Sequence, residues 1–137
     1  MTGRGLPSTL AGQLRPEFPS ELDRARLHRG RLARLLTSLA GASAIVLGRR
    51  IFLSRAGAAC VEDAAPDAFR LLAHELTHVA QYRRLGAAPF LGRYVGEYLR
   101  GRFAGLDHRT AYLSISFERE AEGRARSCAA GTSGSGA

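Results

Sequence analysis

The chain has 137 residues, of which 45% are hydrophobic and 23% are charged, a composition that fits one folded domain and not a disordered protein. The net charge of +8 comes from 20 arginines with no lysine, and because these are dispersed along the chain we expect no nucleic-acid binding. No apolar run is long enough to cross a bilayer, so we also expect no membrane span.

The N-terminal residues lack the apolar core of a signal peptide. The sequence therefore predicts a cytoplasmic protein, or one exported by a route that needs no signal peptide. Cys60 and Cys128 have neither CxxC spacing nor partners at zinc-finger distances, so we expect two free, partly buried thiols.

Before residue 31 the sequence predicts little regular structure. Residues 1–20 contain three of the five prolines and several glycines, which predicts an extended arm. Residues 21–30 are typical of a short strand. Residues 31–41 predict a helix that ends at Gly41. Four leucines at helical spacing support it: Leu32, Leu35, Leu36 and Leu39.

Residues 42–54 change character, with two short apolar runs on either side of Gly48 and Arg49. Several of these residues are β-branched. This pattern predicts a β-hairpin or a bulged pair of strands.

The second half of the chain is predicted to be mainly helical. Pro66 suits the first turn of a helix, and nothing from Asp67 to Leu85 breaks it before Gly86. Residues 87–103 predict a second helix. One stripe of that helix, which we interpret as simple core packing, consists of Phe90, Tyr94 and Tyr98.

The last segments complete the predicted domain, which comprises residues 21–130. Residues 105–116 predict an ordered loop, and residues 117–130 predict a final helix. Residues 131–137 are small or polar and predict a flexible tail.

The segment "LLAHELTHVAQYRRLG", residues 71–86, contains an HExxH motif. Residues four apart lie on one helical face, about 6 Å apart along the axis, so His74 and His78 can bind one metal ion. Glu75 is one step round the helix and could take a proton from a zinc-bound water, whose pKa falls to about 7. The motif predicts a zinc site with a base beside it.

A catalytic zinc needs a third protein ligand and an open position. Glu118 and Glu122 share a helical face with Ala121 and Ala125, and such small residues allow a close approach to the histidine helix. One glutamate could bind the metal while the other orients a histidine. Under the competing interpretation, these glutamates lie on a solvent-exposed face of the helix and pair with arginines. The candidates after His78 are Glu97, Asp107, His108, Glu118, Glu120 and Glu122.

The segments "GASAIVLGRRIFLS", "AHELTHVAQYRRLG", "RYVGEYLRG" and "FEREAEGRA" together resemble a bacterial family of small zincin-like metallopeptidase domains. Members of this family occur alone or attached to toxins and to cargo of contractile injection systems. The resemblance extends from about Leu22 to Ala125. It implies an α+β fold, mostly helical, with a short β-hairpin or small sheet beside the active-site helix. An edge strand of that sheet could pair with an extended peptide, and residues 50–54 are our candidate.

In zincins with a glutamate ligand, the third ligand lies on a later helix, in a pattern that "EREAE" at residues 118–122 resembles. We assign Glu118 as this ligand and keep Glu122 as the alternative. Glu120 lies about 200° from Glu118 around the helix, so we expect it to face solvent.

The predicted function is that of a zinc metallopeptidase acting on peptide or protein substrates. Glu75 would carry the proton to the leaving amine, and Tyr112 or His108 would donate a hydrogen bond to the oxyanion. The alternative is a zinc-stabilised module without hydrolysis that serves as a docking or export element of a bacterial toxin or secretion system.

Overall fold

The computed structural model describes residues 3–134, and of residues 132–134 it describes the backbone alone. The fold is mostly helical with a small mixed sheet, so the α+β class predicted from the sequence is correct. The elements in chain order are α1 (Ser8–Leu14), α2 (Pro19–Arg24), β1 (Arg26–His28), α3 (Arg31–Ala40), β2 (Ala44–Leu47), β3 (Arg50–Leu53), α4 (Arg55–Glu62), α5 (Ala68–Leu85), α6 (Ala87–Phe103), α7 (His108–Leu113) and α8 (Ser116–Gly134).

The N-terminal segment is helical, so the prediction of an extended arm over residues 1–20 is wrong for its described part. Pro7 directly precedes α1 and Pro19 begins α2, positions at which the missing N–H of proline costs nothing. Leu14 and Phe18 are fully buried in the core, and both short helices contact α5. The prolines mark helix starts here rather than extended chain.

The sheet has three strands in the order β1–β3–β2. The predicted hairpin is confirmed, since β2 and β3 pair antiparallel around a turn that contains Gly48 in the left-handed region. The prediction that residues 50–54 form the edge strand is wrong. Strand β3 lies in the centre, parallel to β1 on one side and antiparallel to β2 on the other. Among the described residues, β2 pairs with β3 alone and is an edge strand.

Helix α5 lies at the centre of the molecule and carries the HExxH motif. Gly86 ends it with a φ of 86°, as the sequence predicts, but it begins at Ala68, so Pro66 lies before the helix and not in its first turn. Apolar side chains on most sides of α5 are buried, including Leu72 and Leu76, and the helix contacts α8, α6, α4 and β2. The two histidines are therefore held on a rigid, buried helix.

The segment after α6 contains helix α7, so the prediction of a loop over residues 105–116 is wrong. The side chain of Asp107 caps α7 by accepting a hydrogen bond from the Thr110 N–H at 2.7 Å. Gly101 of α6 packs closely on α7, because a Cβ there would come within 3.1 Å of the Ala111 Cβ. Helix α7 thereby brings Tyr112 against the core.

Helix α8 extends to Gly134, beyond the predicted end at residue 130. The backbone of residues 131–134 is helical, contrary to the predicted flexible tail, and residues 135–137 of that tail lie outside the described residues. Cys60 is a partly buried free thiol, as predicted, and Cys128 is buried. In the described part of the chain, no helix is long and apolar enough to span a bilayer.

Candidate metal centre

The structure brings together three residues from two helices at one point. His74 and His78 lie on α5, and Glu118 lies in the first turn of α8, which packs along α5. One ligand atom from each residue can be chosen so that the three atoms lie within 4.8 Å of one another. This group is a candidate metal centre, and its members are the three ligands assigned from the sequence.

The Glu118 carboxylate lies between the two imidazole rings. Its Oε2 is 2.9 Å from the Nε2 of His74, and its Oε1 is 3.1 Å from the Nε2 of His78. The side chains of Glu118 and His78 are almost fully buried, whereas that of His74 is 19% exposed. The two Nε2 atoms thus converge on the Glu118 carboxylate, and His74 lies on the solvent-exposed side of this group.

The charges at this centre are strongly coupled. Burial disfavours an ionised Glu118, but the hydrogen bonds to His74 and His78 outweigh it and hold the Glu118 pKa well below its usual range. Burial also disfavours a protonated His78, yet the hydrogen bond and the charge of Glu118 raise its pKa to about 9. For His74, burial is again outweighed by Glu118 and by the charge of Glu75, and the pKa is raised. A metal ion would therefore compete with a proton for His78.

Gln81, one turn after His78, fixes which nitrogen of His78 can bind a metal. Its amide Nε2 donates to the backbone carbonyl of Phe117 at 3.1 Å, and its Oε1 lies 2.8 Å from the Nδ1 of His78. A carbonyl only accepts hydrogen bonds, so the amide NH₂ must face Phe117 and the amide oxygen must face the ring. The Nδ1 of His78 then carries the hydrogen, and in the neutral ring the lone pair is on Nε2.

Glu122 has the same effect on His74. Its Oε2 lies 3.3 Å from the Nδ1 of His74, and a carboxylate in this position accepts the Nδ1–H. Arg70 forms an ion pair with Glu122 and, after the cost of burial, helps to hold the Glu122 pKa below its usual value. Glu122 therefore contacts a histidine from outside the centre. The sequence predicted this role, orienting a ligand histidine, for the one of Glu118 and Glu122 that does not bind metal.

Tyr94 is a member of the site that the sequence analysis missed. Its hydroxyl donates to the Oε1 of Glu118 at 2.7 Å, so the interpretation of this tyrosine as simple core packing is incomplete. Burial and the charge of Glu118 raise its pKa, which keeps the hydroxyl protonated as a donor. The stripe shared with buried Phe90 concealed this role, because a tyrosine ring packs like phenylalanine while its hydroxyl reaches further.

Glu75 faces the cleft beside the three residues. It is 6% exposed, and its carboxylate forms no hydrogen bond with any residue in the described part of the chain. Burial raises its pKa, although the charges of His78 and His74 oppose this. A carboxylate with a raised pKa and no hydrogen-bond donor is suited to accept a proton from a molecule in the cleft.

Tyr112 and His108 both line the cleft beside His74 and Glu75. Burial and the charges of Glu118 and Glu75 raise the Tyr112 pKa, so its hydroxyl stays protonated. His108 is exposed and its Nδ1 lies 2.8 Å from the hydroxyl of Tyr98. Of the two oxyanion donors predicted from the sequence, Tyr112 is the one that lines a cavity together with Glu75, His78 and Glu118.

The other acidic candidates are engaged elsewhere. Glu120 is exposed, 3.8 Å from Arg84, and its Oε1 lies 3.3 Å from the amide of Gln81. Asp107 caps α7. Glu97 accepts a hydrogen bond from the Ser116 hydroxyl, and this contact joins α6 to the start of α8. None of the three reaches the histidine nitrogens in the described part of the chain.

The donor set fits a metal ion. Two imidazole nitrogens and one carboxylate oxygen converge, and each imidazole has its other nitrogen hydrogen-bonded to an acceptor, as in most histidine-bound metal sites. The centre opens on the His74 side into a cavity of about 490 Å³ that Glu75 and Tyr112 also line. Three ligands and an open side are what a catalytic site requires.

Comparison with known protein families gives a match for the N-terminal part of the chain. The model of the eCIS core domain family matches residues 5–86, which are 82 of the 137 residues and include His74, Glu75 and His78 but not Glu118. No curated protein and no solved structure matches the chain. Because the match covers more than half of its length, the chain belongs to the eCIS core domain family, whose members are associated with extracellular contractile injection systems.

Proposed function

We propose that this protein is a zinc-dependent metallopeptidase. The observation that carries the proposal is the convergence of the His74 and His78 Nε2 atoms on the Glu118 carboxylate, with an unbonded, buried Glu75 carboxylate beside them. An HExxH helix with this composition is the arrangement of zinc peptidases.

The choice of zinc follows from the ligand types. Two imidazole nitrogens and one carboxylate form a His₂Glu set, which suits Zn²⁺ in tetrahedral geometry with its fourth position open. Magnesium and calcium prefer oxygen ligands alone and fit the centre poorly. When bound, zinc would acidify a water molecule and polarise a peptide carbonyl.

The chain's own residues supply the proton transfers and the binding of charge. Glu75 accepts a proton in the cleft and returns it to the amine that leaves. The Tyr112 hydroxyl donates a hydrogen bond to the oxygen on which negative charge develops. Tyr94 keeps Glu118 ionised and oriented, because it donates to one of the two carboxylate oxygens.

Strand β2 supplies a surface for the substrate backbone. It is an edge strand among the described residues, and its four residues line the cleft opposite Glu75 and His78. An extended peptide could add to this edge as a further strand, with its carbonyl beside the metal centre. Peptides and unstructured protein segments are therefore the proposed substrates.

Zinc-dependent hydrolysis tests this proposal. Purified protein should bind one zinc ion per chain and cleave members of a peptide library; a chelator should abolish the cleavage and added zinc should restore it. His74→Ala should lose both zinc and hydrolysis, whereas Glu120→Ala, a change on the exposed face of α8, should keep both. A protein without stoichiometric zinc, or cleavage that survives full removal of zinc, would contradict the proposal.

The second candidate function is a zinc-stabilised docking or export module without hydrolysis. Membership in a family associated with extracellular contractile injection systems favours it, because the family match concerns assembly context and not chemistry. In that case zinc binding and stability should respond to His74→Ala, but no peptide should be cleaved at any zinc concentration.

A further inference from the structure

Glu75 lines two cavities, one of which also contacts His74 and the other His78. The larger cavity is lined near α5 by Asp67, Arg70 and His74 and is partly charged. The second cavity, of about 180 Å³, shares Glu75, His78 and Glu118 with the metal centre but is otherwise mainly apolar. We call it the apolar cavity. Its apolar and aromatic lining includes Ile45, Leu47, Tyr82, Phe90, Leu91 and Tyr94.

The size of the apolar cavity limits what can enter it. Cavities that take drug-sized molecules measure about 300–1,000 Å³, so a volume of about 180 Å³ suits one bulky side chain. Its walls offer apolar surface, and burying a Leu- or Phe-sized group there is favourable. Lysine or arginine would lose its hydration in the cavity. Apart from the ligand Glu118, the carboxylate that lines the cavity is that of Glu75, and a cation paired with it would occupy the proposed base.

The course of β2 gives a substrate strand its direction. Residues 40–44 line the larger cavity, and three of them, Ala40, Ala42 and Ala44, line the apolar cavity as well. Ile45, Val46 and Leu47 line the apolar cavity but not the larger one, so β2 runs from the part shared by both cavities towards the apolar one. The Ser54 N–H donates to the Ser43 carbonyl, so these two opposed residues form a hydrogen-bonded pair. Hydrogen-bonded and non-hydrogen-bonded pairs alternate along an antiparallel ladder, so the backbone N–H and C=O groups of Ala44 and Val46 point away from β3, towards the free edge. A peptide paired antiparallel with that edge starts at the apolar cavity and ends at the larger one.

We propose that the enzyme selects peptides with a bulky apolar residue on the N-terminal side of the cleaved bond, bound antiparallel to β2 with that side chain in the apolar cavity. This inference rests on the proposed function. The C-terminal side of the substrate lies in the larger, open cavity, where polar residues are tolerated.

Mapping the cleavage sites in a peptide library tests the inference. Bulky apolar residues should be enriched within about three positions before the cleaved bond and not after it. Leu91 is 40% exposed and lines the apolar cavity, so Leu91→Arg should lower kcat/KM for such peptides by about tenfold or more. Leu99 lies two turns further along α6, is 44% exposed and lines neither cavity, so Leu99→Arg is the matched control and should act like wild type.

The outcomes separate this inference from the proposed function. Cleavage without apolar preference, or with the preference after the bond, overturns the inference and leaves the peptidase proposal intact. If no peptide is cleaved, the peptidase proposal fails, but the cavity can still be tested by binding. The affinity of zinc-loaded protein for a Ser/Gly peptide that contains one Phe is then compared with its affinity for the same peptide with Ser in place of Phe. Equal affinities, or an equal loss in Leu91→Arg and Leu99→Arg, would then overturn the apolar cavity as a binding site.

Discussion

Replacing Gln81 by leucine should weaken zinc binding although Gln81 is not a ligand. Gln81 is 1% exposed and its amide joins the His78 ring to the Phe117 carbonyl, one residue before Glu118. Leucine has a similar size but neither accepts the Nδ1–H nor donates to the carbonyl. The His78 ring then loses the contact that keeps its lone pair on Nε2, and the start of α8 loses a tie to α5.

The expected magnitudes follow from these two hydrogen bonds. Loss of a hydrogen-bond partner behind a metal-bound histidine weakens metal affinity by about 10- to 100-fold, equivalent to about 1.4–2.8 kcal/mol. Without metal, the buried Nδ1–H left unpaired should lower the free energy of unfolding by about 1–3 kcal/mol. Both effects should be present in the same variant.

Competition between the protein and a chelator for zinc measures the affinity, and the visible spectrum of the cobalt-substituted protein reports the ligand geometry. Thr77→Val is the matched control, because Thr77 is as buried on α5 as Gln81, but among the described residues its hydroxyl bonds only to the Ala73 carbonyl of its own helix. The control should keep wild-type affinity and spectrum. Equal zinc affinity in Gln81→Leu and wild type would refute the reasoning, even if the variant were less stable.

Three further predictions concern the ligands, protons and core. Glu118→Ala should weaken zinc binding more than Gln81→Leu does, whereas Glu120→Ala should not change it; metal titrations with the reverse order would exchange the two assignments. Since the His78 pKa is raised to about 9, chelator-stripped protein keeps a proton there at neutral pH, and apparent zinc affinity should rise with pH by at least about tenfold per unit up to about pH 9, more steeply where His74 also loses a proton. A flat profile would mean that no proton is displaced. Leu14→Ala should lower the free energy of unfolding by about 2–5 kcal/mol in chemical denaturation, because Leu14 is fully buried; an extended arm would predict no change.

The parts of the fold that the sequence predicted are those with strong local signals. Helix α5 has proline before it, glycine after it and an uninterrupted apolar pattern. It ends at Leu85 as predicted and begins two residues after Pro66, which was predicted to lie in its first turn. The hairpin of β2 and β3 was visible as two apolar runs around Gly48. Helix α7 was missed although aspartate, here Asp107, is a preferred residue type at helix N-caps, because the helix is only 6 residues long.

Strand order and helix faces depend on distant contacts, and there the predictions failed. Strand β3 became central because β1, far from it along the chain, pairs with it in parallel. The leucines of α3 had the spacing of a buried face, yet Leu32, Leu35 and Leu39 are exposed and the smaller Ala33 and Thr37 are buried. No local pattern reveals which side of a helix its neighbours will cover.

The parts of the candidate site that depend on local spacing were likewise predicted, and the parts that depend on helix packing were harder to predict. The HExxH spacing alone places His74 and His78 on one face of α5. Which glutamate approaches them depends on how α8 crosses α5, and the small residues Ala121 and Ala125 were the single local indication. Tyr94 could not be found in this way, because it comes from a third helix and its spacing is that of the core.

The central claim is most directly tested by comparing wild-type protein with Glu75→Gln at matched zinc content. The substitution leaves all three assigned ligands in place and removes only the group that accepts the proton. We expect one zinc ion per chain in both proteins and peptide hydrolysis only in the wild type. One zinc per chain with no difference in hydrolysis between the two, whether both cleave or neither does, would contradict a metallopeptidase that uses Glu75 as its base.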